Sequence, residues 1–163
     1  MRALRFIGAA CCVLAMSAGG TLSASAAPDP EGSGAVVALG RALPLPAANG
    51  RVVAVTVLGV RLRPGKHRMY DVHLRYRLKH GKTYRLDPLR EAQLVDSSAQ
   101  LVFPAAGKWR QPALGKMVLR YGHPRTGWVT YALPTAAGAV RVQVTLDGGT
   151  ATRTGQWRVT PRL

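Results

Sequence analysis

Past Cys12 the chain contains no cysteine, and its seven acidic residues are outnumbered by 23 lysines and arginines. The first shortage excludes a disulfide framework and thiol chemistry from everything downstream. Serine is nearly as scarce. Beyond residue 26 there are only Ser33, Ser97 and Ser98, and none sits in a Gly-x-Ser-x-Gly elbow. A hydrolase needs a nucleophile with a base in reach. Ser33 lies in a Pro/Gly-rich stretch and Ser97-Ser98 in an expected hairpin turn, where serine is an ordinary choice. The carboxylates offer no pair either: Asp29 and Glu31 share that stretch, while Asp87, Glu91, Asp96 and Asp147 flank turns. No catalytic residue is assigned, and an enzyme is not expected. No apolar run approaches the ~20 residues that span a bilayer. No stretch repeats at 3.6 residues, which argues against a helical fold.

What is present begins with an export signal. Arg2 and Arg5 precede an apolar run from Phe6 to Met16, and Ala24-Ser25-Ala26 presents the small-x-small pattern read by signal peptidase. Residues 1–26 are expected to leave, with the cut before Ala27. Cys11 and Cys12 lie mid-way through the apolar run, and Gly8 stands where a lipoprotein signal carries a bulky aliphatic residue, so both are expected to leave as well. The remaining 137 residues make one domain. Removing Arg2 and Arg5 leaves 21 basic side chains against seven acids, a net charge of +14.

Residues 27–50 are expected as a flexible leader rich in Pro and Gly. It holds a short edge strand at Val36–Leu39, after which Pro44 and Pro46 exclude regular structure through Gly50. From Arg51 onward, β-branched runs alternate with turns. Val52–Val60 is apolar on both parities, as in a strand covered on both faces, and Arg61–Lys66 follows as a turn. Met69–Lys79 is the cleanest alternation: Tyr70, Val72, Leu74, Tyr76 and Leu78 face one way, and Asp71, His73, Arg75, Arg77 and Lys79 the other. Glu91–Asp96 and Gln100–Phe103 are expected to pair, and Trp128–Leu133, Val140–Leu146 and Thr154–Thr160 complete about seven strands. The fold class is therefore all-β, an immunoglobulin-like β-sandwich over residues 51–163. Trp109, Trp128, Trp157, Tyr70, Tyr76 and Tyr131 are expected to fill its core or cover strand ends.

Several pieces occur in a recognisable order: Leu39-Gly40, Val55-Thr56-Val57, the long strand 69–79, Leu94-Val95-Asp96-Ser97, Phe103-Pro104 and Gly127-Trp128-Val129-Thr130-Tyr131-Ala132-Leu133-Pro134. Together they resemble a telokin-like, immunoglobulin-fold secreted domain of unknown function from Gram-positive bacteria. Its superfamily includes a secreted mycobacterial immunogenic antigen. The resemblance spans roughly residues 36–160. It implies a fold and an extracellular location, and no catalytic residues.

The basic segment is the feature above background. Arg61, Arg63, Lys66, Arg68, Arg75, Arg77, Lys79, Lys82, Arg85 and Arg90 stand against only Asp71 and Asp87. His73, Arg75, Arg77 and Lys79 share one strand face about 6.6 Å apart, a spacing that suits the phosphates of a polyanion. The first nine basic residues are the candidate anion-binding set. The partners expected are anionic envelope polymers or lipid headgroups. Nucleic acid is not favoured outside the cell, although Tyr70, Tyr76 and Tyr84 interleave with the basic residues. A solvated, charge-protected edge would also account for the segment. An extracellular protein-interaction domain is a second reading. A copper carrier using His67, Met69, His73, His80, Met117 and His123 is a third, although Arg75, Arg77 and Lys79 would repel a cation at His73. No metal site and no cofactor is assigned, and a monomer is expected.

Overall fold

The alternation read at 69–79 becomes the central strand of the structure, β4 (Arg68–His80). Tyr70, Val72, Leu74, Tyr76 and Leu78 on its inner side are each no more than 2% exposed. Burying one such side chain contributes roughly 1.5–3 kcal/mol, so a one-residue slip that turned all five outward is strongly disfavoured. The structure is a computed structural model that describes residues 36–63, 68–105, 110–134, 138–148 and 153–159. The expected export signal, its Ala26–Ala27 junction, Lys66, His67 and Trp109 lie outside the described residues.

Around β4 lie β1 (Val36–Val37), β2 (Ala42–Pro46), β3 (Val52–Arg63), β5 (Thr83–Leu86), β6 (Ala92–Asp96), β7 (Leu101–Val102), β8 (Met117–Arg120), β9 (Arg125–Leu133), β10 (Ala139–Thr145) and β11 (Thr154–Arg158). They form a sheet β2-β3-β4-β9, a sheet β1-β11-β10-β6-β7 and a small pair β5-β8. Pairing is antiparallel except between β1 and β11. The sheets pack as an immunoglobulin-like β-sandwich over one core. The first sheet supplies Val53, Val55, Val57, Leu74 and Tyr131, and the second supplies Leu94, Val142, Val144 and Trp157. Trp157 is fully buried, and its indole Nε1–H donates to the Arg41 carbonyl at 2.9 Å.

Four expectations need correction. Among the described residues there are eleven strands where about seven were expected: the short edge strand β1 and the β6–β7 pair were read from the sequence, whereas β2 was obscured by its prolines and β5 and β8, four residues each, are too short to show a period-two signal. Pro44 and Pro46 do not break regular structure; they lie within β2, opposite Ala54 and Val52. β2 is a sheet edge, where alternate N–H groups point away from the partner, and both prolines share that parity. β3 is not covered on both faces. A register shift between Val57 and Gly59 makes Leu58 an extra residue, which moves Val60 onto the inner face with Val53, Val55 and Val57. The bulge, and not a second covering layer, accounts for apolar residues on both parities. β3 also runs on through Arg63, so Arg61–Arg63 are strand where a turn was expected.

A one-turn helix, α1 (Pro88–Glu91), leads into β6 and starts on Pro88, whose fixed φ suits that position. It delivers Glu91 to the core, 6% exposed, where Oε1 accepts a hydrogen bond from Tyr84 Oη at 2.6 Å. The other oxygen, Oε2, is buried without a hydrogen-bond partner. The β6–β7 turn is held by Asp96, whose Oδ1 accepts from the amides of Ser98 and Gln100 at 2.8 and 2.9 Å.

Candidate anion-binding face

Cross-strand partners share a face, so the register of β3, β4 and β9 states which side chains meet on the outside of their sheet. Arg75 lies between Thr56 and Thr126, and Arg77 lies beside Ala54. These small neighbours leave both guanidinium groups exposed. Lys79, on the same parity, is exposed at a second register shift opposite Val52 and Val53. One row further along, Gly59, His73 and Trp128 stand abreast, and beyond them Arg61, Asp71 and Thr130.

Asp71 faces outward as expected yet is only 1% exposed. Its carboxylate accepts from Arg63 Nε at 3.1 Å and Nη2 at 2.7 Å, and from Thr130 Oγ1 at 2.7 Å. Such a fork-on-carboxylate pair is geometrically demanding and charge-assisted. It ties β3, β4 and β9 together and neutralises the single acid on this face among the described residues. Arg63 therefore serves the fold and leaves the candidate anion-binding set.

Trp128 was expected in the core or over a strand end; it stands on this outer face, half-buried. The His73 ring stacks on it with centroids 4.3 Å apart and planes 7° from parallel. The guanidinium carbons of Arg110 and Arg61 lie 4.6 and 5.8 Å from the Trp128 ring centroid. Cations over an indole are held by its quadrupole. Burial, then the charges of Arg75, Arg61 and Arg110, push the His73 pKa below its ordinary value, so the imidazole is neutral at neutral pH. His73 thus joins the face as a flat ring, not as a cation.

The face accordingly gathers Arg61, Arg75, Arg77 and Lys79. Arg68 is exposed at the start of β4, while Lys82 follows β4 in a bend and Arg85 lies on β5, opposite Val118. Lys82 and Arg85 therefore belong to the β5-β8 side. That side also carries Arg120, His123 and Arg125 around a shallow pocket with Val118. Arg110 went unnoticed in the sequence, since only the tertiary structure brings it to Trp128.

The described residues of the set read as copper ligands are dispersed. His73 is engaged with Trp128, His80 ends β4, His123 sits in the β8–β9 turn, and Met117 packs against the core from β8. Among the described residues no three His, Cys, Asp or Glu side chains form a group that could hold a metal ion. No described helix is long and apolar enough to cross a membrane.

This arrangement of strands has counterparts among solved structures. The fold is similar to that of MPT63. That secreted protein of Mycobacterium tuberculosis superposes with a TM-score of 0.60 at 10% identity, over 77% of this chain and 97% of its own. The candidate lipoprotein ycdA of Bacillus subtilis gives a TM-score of 0.57 at 9% identity, over 72% of this chain and 38% of its own. The likeness to MPT63 therefore takes in nearly that whole molecule, and the likeness to ycdA little more than a third of it. At such identities the likeness is one of fold. No protein-family model and no curated protein matches the sequence.

Proposed function

We propose that this protein is an exported, non-enzymatic binding module that attaches to phosphate-bearing polymers or headgroups of the cell envelope through the outer face of the β2-β3-β4-β9 sheet. The observation that carries the reading is the charge balance of that face. Arg61, Arg75, Arg77 and Lys79 are exposed on it, while its one described acid, Asp71, is buried against Arg63. A field of one sign over a rigid sheet draws a polyanion and holds it by many weak contacts. Alternate residues of β4 stand about 6.6 Å apart, a repeat that successive phosphates can follow. The basic head, apolar run and Ala24-Ser25-Ala26 site support export, and the likeness to a secreted protein agrees with it.

The test is retention on heparin and on anionic liposomes across a salt series, comparing the protein with the triple variant Arg75→Glu, Arg77→Glu, Lys79→Glu. Retention should weaken steeply with salt as condensed counterions are released, and the variant should lose about two to three from the slope of log K against log salt. Its stability should change by less than about 0.5 kcal/mol per site, because all three side chains are exposed. Equal retention at every salt concentration refutes the site. Liposome binding without heparin binding assigns the headgroups, and the reverse assigns the polymers.

A second reading, a protein-interaction domain, is favoured by Leu101 and Phe103, 47% and 58% exposed beside the β7 sheet edge.

A further inference from the structure

Strand spacing decides what can stand next to His73. Adjacent strands lie about 4.8 Å apart, and Gly59, His73 and Trp128 occupy one row across β3, β4 and β9. Two of the three positions hold flat rings, stacked 4.3 Å between centroids. The third holds no side chain. A Cβ placed on Gly59 would meet nothing within 4 Å, so the row of rings stops at His73 with an empty place one strand further on. That place opens into a cleft of about 490 Å³, a size that accommodates a small ligand.

The walls of the cleft define what fits it. Leu58, the extra residue of the bulge, and Leu39 contribute apolar wall to a lining that is about half polar, and Arg61 places a guanidinium at its side. Leu39 and Gly40 close the far wall, where the Gly40 amide donates to the Val57 carbonyl at 2.7 Å. Gly40 takes φ +85, a turn that L side chains rarely adopt. Between these walls the His73 ring is uncharged, and among the described residues no hydrogen bond engages its nitrogens. Its face is therefore available to another aromatic ring without the desolvation that a charged imidazolium would impose.

We propose that this slot binds a flat aromatic anion of one or two fused rings. The ring lies over Gly59 as a third layer beyond Trp128 and His73, and its carboxylate or phosphate pairs with Arg61. The inference goes beyond attachment to a polyanion: the ligand is a small molecule, and Arg75, Arg77 and Lys79 take no part in holding its ring.

The test is isothermal titration calorimetry with 2-naphthoate as the probe. Cyclohexanecarboxylate, an anion without a flat ring, and 2-naphthalenemethanol, a flat ring without charge, are the comparisons. 2-Naphthoate should bind with a Kd below about 1 mM, and cyclohexanecarboxylate at least about tenfold more weakly. Gly59 has an ordinary φ and open space above it, so Gly59→Leu should fill the slot, abolish binding and leave both the melting temperature and heparin retention unchanged. Arg61→Gln should weaken 2-naphthoate about tenfold and leave 2-naphthalenemethanol unaffected. If Gly59→Leu lowers the melting temperature, His73→Ala replaces it, and unchanged 2-naphthoate binding in that variant overturns the proposal. So does the absence of binding to the unsubstituted protein, survival of binding in a stable Gly59→Leu variant, or equal affinity for cyclohexanecarboxylate. Loss of heparin retention in the triple glutamate variant, with binding of the uncharged 2-naphthalenemethanol intact, keeps this site separate from the polyanion face.

Discussion

Replacing Glu91 by glutamine should stabilise the protein, and the gain should appear only as pH rises. Burial raises the Glu91 carboxyl to about 7 from an ordinary 4.5, and the charge of Asp147 adds to the rise. The Tyr84 hydroxyl and the backbone amides of Asp147 and Asp87 counter it only in part. The folded state therefore holds the Glu91 proton more tightly than the unfolded chain does. Its contribution is complete below pH 4.5 and is lost as pH climbs to about 7, above which it stays level. At about 1.4 kcal/mol per tenfold in proton affinity, the loss is about 3 kcal/mol. A glutamine amide keeps an oxygen to accept from Tyr84 and cannot ionise. Urea unfolding of both proteins at intervals from pH 4.5 to 8 gives the comparison. The stability difference, variant minus unsubstituted protein, should grow by about 3 kcal/mol across the window. Taking the difference cancels His73, whose depressed pKa acts in the opposite sense. A difference constant to within about 0.5 kcal/mol would refute the reasoning, since Glu91 would then titrate alike in both states.

Three further outcomes are expected. Asp71→Asn should cost about 2 kcal/mol in urea unfolding: it removes the buried partner of Arg63 and Thr130, while Arg63 at 36% exposure recovers some hydration; a cost under about 0.5 kcal/mol would deny the cluster its role in joining β3, β4 and β9. Gly155→Ala should lower stability by about 1–3 kcal/mol, because the new Cβ would lie 2.8 Å from the Trp157 ring and 3.1 Å from Leu43; an unchanged melting temperature would show that the Trp157 site yields easily. Mass spectrometry of the protein recovered from culture medium should give a chain that starts at Ala27; an intact Met1 or a lipid on Cys11 or Cys12 would overturn the export reading.

The sequence by itself determined the all-β class, the long strand through residues 69–79 and the inward set Tyr70, Val72, Leu74, Tyr76 and Leu78. Five apolar residues at period two cannot share one helical face, so local pattern alone was decisive there. It also determined that Arg75 and Arg77 stand on a single side, because unbroken alternation in a strand allows no other placement; Lys79 lies at a register shift, where alternation does not decide its side. Tertiary structure decided the rest. Pro44 and Pro46 read as breakers until β2 is seen to lie on an edge, a property of sheet order that no window of sequence contains. The apolar residues on both parities of β3 were equally compatible with a second covering layer or with a bulge, and only pairing with β4 distinguished them. Arg63 looked like any other basic residue until Asp71, eight positions on, closed on it across the β3–β4 pair. The site at its most specific depends on three residues far apart in the chain, Gly59, His73 and Trp128. The absence of a side chain at Gly59 acquires a meaning only when register sets it beside two stacked rings. Periodicity is a property of neighbours along the chain; a slot between strands is a property of neighbours across it.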